Sequence, residues 1–196
     1  RMDARIASHA TLAMPPTVTY DRGVDSLAFR VPHALPEKAL GAPPEGIAKI
    51  SNGVTHAFLL TPPAIAPERR YPLITVLHGA GRQDEMLCKA YRGEAAARDA
   101  LFLIPRSTDV TWDMIAGGNR TDLDFLEQVF AGIYQRLPVD ADRQALIGYS
   151  DGASYALAIG LSGAPEPDGA DRRKPMTFLG AAAIQWVNVK GWVMIV

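Results

Sequence analysis

The stretch Arg143 to Leu161, RQALIGYSDGASYALAIGL, carries the residues best spaced for chemistry. A β-rich run, Ala145-Leu146-Ile147, enters Gly148-Tyr149-Ser150-Asp151-Gly152 and leaves as an alanine-rich apolar segment, Ala153 to Leu161, with helical spacing. Strand, sharp turn and helix with a serine at the apex is the context of a nucleophile elbow. Glycines on either side of the serine let strand and helix approach, because neither has a Cβ. A serine hydroxyl is a weak nucleophile at neutral pH and needs a base within hydrogen-bond reach, itself oriented by a third group. Acyl transfer also needs donors aimed at the developing oxyanion. In such an elbow one donor is the backbone N–H after the serine, here Asp151, and the other comes from a loop after an earlier strand. His78-Gly79-Ala80-Gly81 follows the apolar run Leu73 to Leu77, its glycines allow close backbone approach, and Ala80 N–H is the expected second donor.

The elements around these motifs set the fold expectation. Residues 1–16 read as an arm, 17–31 as a hairpin around Asp21-Arg22-Gly23, and 32–46 as a proline- and glycine-rich loop. Ile47 to Leu60 has Asn52-Gly53 between two strand-like runs, a strong hairpin signal, with His56 in the second arm as a cross-strand or surface histidine. Leu73-Ile74-Thr75-Val76-Leu77 reads as a strand buried on both faces. A helical stretch is expected from Asp84 to Asp99 and a second buried strand at Leu101 to Ile104. Residues 106–120 form a loop containing Trp112, after which Asp122 is expected to cap a helix with the stripe Leu123, Leu126, Phe130, Ile133 and Leu137. Strands alternating with helices argue an α/β fold with a mainly parallel sheet. The expected division is an N-terminal extension, 1–46, and a catalytic-type body, 47–196, in one domain overall.

The series LITVLHGAG, LFLIPRSTDVTWDMIAGGNRTDLDFLEQVF and VDADRQALIGYSDGASYALAIGL resembles the α/β-hydrolase superfamily. The nearest groups are small carboxylesterases related to phospholipase/carboxylesterase and polyhydroxybutyrate-depolymerase-like esterases. The resemblance covers Tyr71 to Leu161. It implies a serine hydrolase of carboxylic esters with Ser150 as nucleophile and the N–H groups of Ala80 and Asp151 as oxyanion hole. It further implies that His78 supports the oxyanion loop, with a catalytic-base role as the alternative, that Gly79 binds substrate or supports the same loop, and that Trp112 lies near the substrate. A base supplied by His78 or by a second subunit would be needed for full rates.

The chain departs from that family after the elbow. The family triad runs serine, acid, histidine along the chain, whereas His9, His33, His56 and His78 all precede Ser150. Asp168 and Asp171 come too early to supply the acid. Two explanations stand: a truncated or frame-shifted relative whose sequence after about Leu161 is replaced, or a shortened sheet in which Met176 to Ile184 pairs beside the Ser150 strand. Without such a strand the Ser150 strand would be an apolar edge inviting a homo-oligomer. Accordingly, an impaired remnant or binding module stands as the alternative to an esterase.

Composition narrows the partners. A net charge of −1 gives no basic footprint for nucleic acid. No run approaches the length of a transmembrane helix, and the substrate expected is a small-molecule or lipid-like ester. Cys88 alone forms no intramolecular disulfide and no zinc-type spacing, so neither metal nor organic cofactor is expected. No signal peptide is visible, which favours the cytoplasm, although a chain starting at Arg1 leaves a processed end open. The acyl and alcohol specificity is not written in these motifs.

Overall fold

The computed structural model describes residues 10–12, 14, 46–116, 120–161 and 192–195. Seven described strands form one sheet: β1 (Ala10–Leu12), β2 (Ile47–Ser51), β3 (His56–Leu60), β4 (Tyr71–Leu77), β5 (Leu101–Pro105), β6 (Val139–Tyr149) and β7 (Trp192–Ile195). The helices are α1 (Asp84–Tyr91), α2 (Glu94–Arg98), α3 (Asp113–Ala116), α4 (Thr121–Arg136) and α5 (Asp151–Leu161). The strand order is β1-β2-β3-β5-β4-β6-β7.

This is a mixed α/β sheet. Its centre, β5-β4-β6, is parallel, and β1 pairs parallel with β2; β2/β3, β3/β5 and β6/β7 are antiparallel. The expected mainly parallel character therefore describes the centre of the sheet, not the whole of its described part. The hairpin at Asn52-Gly53 forms in register from Ile47↔Leu60 to Ser51↔His56. Its loop spans 52–55: Asn52 Oδ1 accepts the N–H groups of Val54 and Thr55, at 3.0 and 2.9 Å, and Gly53 takes φ +88°.

Alternation along the central strands divides the core. Leu73, Leu77, Leu101 and Leu103 pack on one face with α4 and the inner side of α5, including Leu126, Phe130, Ile133 and Tyr155. Val76, Phe102 and Ile104 face the other way, against Leu87, Cys88 and Ala95 of α1 and α2. All five residues of β5 are buried, as a strand covered on both faces must be. The expected continuous helix 84–99 is two helices, interrupted at Arg92-Gly93 and closed by Asp99 at φ +51°.

Asp122 does not cap α4. The helix starts from Arg120 at φ +58°, and Asp122 is buried in the first turn. Its carboxylate accepts Thr108 N–H at 2.7 Å and Asp113 N–H at 2.9 Å, while Asp113 accepts Asp122 N–H at 2.7 Å. The two aspartates thus stitch the starts of α3 and α4 to the loop after β5.

The edge beside the Ser150 strand is occupied. β7 pairs with β6 from Leu146↔Ile195 to Tyr149↔Trp192. The tail supplies a strand there, at 192–195; the segment first expected to do so, 176–184, lies outside the described residues, as does the hairpin expected at 17–31. The ground for association through an unpaired β6 edge falls with that pairing. No helix among the described residues is long and apolar enough to cross a membrane.

Candidate functional site

Parallel pairing of β4 with β6 brings the two motifs together. The register ends at Leu77↔Gly148, so the residues following each strand, His78-Gly79-Ala80 and Tyr149-Ser150-Asp151, emerge side by side. A Cβ added to Gly79 would lie 3.3 Å from the Ser150 Cβ and 3.0 Å from the Tyr149 ring.

Ser150 has φ +52°, the left-handed region that a non-glycine residue enters only at a cost of about 1–2 kcal/mol. Its carbonyl accepts Ala153 N–H at 2.9 Å and Ser154 N–H at 3.2 Å, which starts α5 directly from the turn. The flanking glycines are sterically required. A Cβ on Gly148 would sit 2.2 Å from the Gly152 oxygen, and one on Gly152 would sit 2.4 Å from the Leu77 and His78 oxygens. Backbone strain held by its surroundings in this way is typical of functional turns.

Asp151, first residue of α5, has an N–H without an intrahelical acceptor. Its carboxylate accepts the Thr111 hydroxyl at 2.7 Å. Ala80 is exposed, in a turn whose Gly81 N–H donates to Val110 O at 2.7 Å.

His78 is fully buried. Ser107 N–H donates to its Nε2 at 3.0 Å, so that nitrogen carries no proton, and Nδ1–H donates to Gly79 O at 2.6 Å. Burial lowers the ring's pKa below its ordinary 6.5, with the Gly79 carbonyl and the Asp84 charge opposing. The imidazole is neutral with both nitrogens engaged, which leaves none to take a proton from Ser150. It supports the loop.

Trp112 is hydrogen-bonded to the loop that follows β4. It is fully buried, stacked between His78 at 4.6 Å and Tyr155 at 4.8 Å, and its Nε1–H donates to His78 O at 2.8 Å. Of the roles expected for it, these contacts are those of a support: Trp112 is a wedge joining the loop before α3 to α5 and to the end of β4.

His56 is neither a surface residue nor a partner of Ser150. Its Nε2 pairs with Asp84 Oδ2 at 3.0 Å, with both residues buried. Three strand spacings separate β3 from β6, about 14 Å at roughly 4.8 Å each. His9 and His33 lie outside the described residues. Among the described residues no side chain hydrogen-bonds the Ser150 hydroxyl.

Sequence reasoning missed Ser107, Thr111, Tyr155 and the His56–Asp84 pair. Ser107 acts through its backbone N–H, which has no sequence signature. Residues 56 and 84 are joined only by the fold. Tyr155 could have been read as the inner position of an apolar helix, but not as a stacking partner. No protein-family model and no curated protein matches this chain.

Proposed function

We propose that the chain is a serine hydrolase of carboxylic esters, an α/β-hydrolase-like esterase organised on the parallel centre β5-β4-β6. The observation that carries this reading is the left-handed Ser150 backbone, wedged between two glycines that have no room for a Cβ and set beside Gly79. Ser150 Oγ attacks the ester carbonyl carbon, and the N–H groups of Ala80 and Asp151 receive the oxyanion. The C–O bond to the alcohol then breaks, the proton lost from the Ser150 hydroxyl leaving on the alcohol oxygen, and water hydrolyses the acyl-serine to release the acid and restore the hydroxyl. His78, Gly79 and Trp112 hold the loop that presents Ala80. A small or lipid-like ester, no cofactor and a cytoplasmic setting complete the proposal.

A second reading, a catalytically impaired remnant or binding module, is favoured by one observation: both His78 nitrogens are engaged and His56 sits three strands from Ser150. A serine lacking its base still gains from the oxyanion hole and binding, roughly 10³–10⁴-fold over water in well-studied triads. Slow turnover therefore does not separate the two readings. Labelling with a small fluorophosphonate followed by peptide mapping does. Adduct on Ser150, abolished by Ser150→Ala, is the expected result; a folded sample without adduct leaves the remnant reading in its place.

A further inference from the structure

The loop His78 to Gln83 cannot hold its shape by local preference. Gly81 has φ +94° and the next residue, Arg82, has φ +54°, two consecutive left-handed positions of which one carries a side chain. Strain of this kind persists only where the surroundings over-determine it. At the upstream end His78 is fixed by Ser107 and Trp112. In the middle Arg82 donates to the carbonyls of Thr108 and Asp109.

The downstream end begins α1. That helix has no side-chain cap at Gln83, and only Asp84, Leu87 and Cys88 of its residues are buried. Asp84, 1% exposed, meets His56 Nε2 at 3.0 Å and Arg106 Nε at 3.9 Å. Arg106 is itself tied to β3, since its N–H donates to His56 O at 2.9 Å and its carbonyl accepts the Thr55 hydroxyl at 2.6 Å. The next residue is Ser107, which holds His78. The two ends of the loop are thus fastened to adjacent residues, Arg106 and Ser107, immediately after β5.

We infer that the buried His56–Asp84 pair is a positioning device for the Ala80 N–H, the downstream anchor that keeps the strained 78–83 loop in its oxyanion-binding shape. The inference rests on the assignment of Ser150 and Ala80 above. Neither His56 nor Asp84 touches substrate; both act through the backbone of residues 81–83. The groups facing the Asp84 carboxylate are His56 from β3 and Arg106, the residue after β5, with His78 on the loop and Cys88 on α1 nearby. Burial alone would raise that carboxyl, but the His56 hydrogen bond and charge, with Arg106, hold it below its ordinary value. The anchor therefore carries its negative charge throughout the neutral range.

The test is the second-order rate of Ser150 phosphonylation by a small fluorophosphonate, whose phosphoryl oxygen would occupy the same two N–H groups. It is measured beside thermal stability on the full chain. Removal of a whole oxyanion donor costs about 10²–10³-fold, so a displaced one is expected to cost about 10-fold or more in Asp84→Asn and in His56→Ala. His56→Gln, whose amide N–H can reach Asp84, restores most of the rate. Leu87→Ala loosens the same helix without touching the pair and lowers the melting temperature with the rate unchanged. If Asp84→Asn does not fold, the His56 variants alone decide. Wild-type rates in the anchor variants, or losses that follow stability equally in Leu87→Ala, overturn the inference while leaving the esterase reading intact. A wild-type chain that takes no label overturns the reading of Ser150 and the inference together.

Discussion

Gly148→Ala is the most direct probe of the elbow. The added Cβ would lie 2.2 Å from the Gly152 oxygen, 2.3 Å from its carbonyl carbon and 2.5 Å from Ala153 N, all backbone atoms of the turn and of α5. None can rotate away as a side-chain tip would. Restoring ordinary contact requires the start of α5 to move from β6 by about 1 Å, in a core packed to crystal-like density. Overpacking of this kind costs typically 1–3 kcal/mol and more where backbone must move, so about 3 kcal/mol is expected. With a urea slope of about 2 kcal/mol/M, the unfolding midpoint should fall by about 1.5 M. Gly93→Ala is the internal control. Gly93 has φ −81° and ψ −20°, and nothing lies within 4 Å of where its Cβ would be, so alanine fits. It should raise stability by about 0.4–1 kcal/mol through the unfolded chain. A Gly148→Ala midpoint within about 0.25 M (about 0.5 kcal/mol) of wild type would refute the close strand-to-helix approach.

Further outcomes follow from the same geometry. Trp112→Ala should cost about 3–5 kcal/mol of stability, and Trp112→Phe about 1–2 kcal/mol because His78 O loses its donor. If Trp112 is a support alone, KM for a p-nitrophenyl ester stays unchanged in the Phe variant; a selective KM change would place Trp112 at the substrate. Two acid limbs are expected in stability against pH. His78 has a folded pKa below its ordinary 6.5, so the stability it contributes is full above 6.5 and lost as pH falls through the lower folded value. Asp84, also depressed, contributes above its ordinary 3.8 and loses that contribution as pH falls further. Urea midpoints across pH should show His78→Gln erasing the upper limb and Asp84→Asn the lower one; unchanged limbs would contradict the buried contacts. Deleting residues 192–196 should unpair the β6 edge and give self-association in light scattering. A monomeric deletion variant would show that β7 is dispensable.

The sequence by itself determined what depends on neighbours in the chain. The two-faced burial of β5 was legible in its continuous apolar run, as was that of β4 except that Pro72 and Ile74 stay half-buried; the hairpin was legible in Asn52-Gly53, and the strand-turn-helix at Ser150 in two glycines and a change of period. Tertiary structure decided which of these meet. The β4/β6 register set Gly79 beside Ser150, and sheet order put His56 three strands away, against Asp84. The same packing engaged both His78 nitrogens and sealed Trp112 between two rings. Periodicity and glycine placement are local, fixed by sterics over a few residues. The partner of a buried imidazole, indole or carboxylate is set by desolvation, which forces each polar atom to find whatever group the closed sheet brings near it.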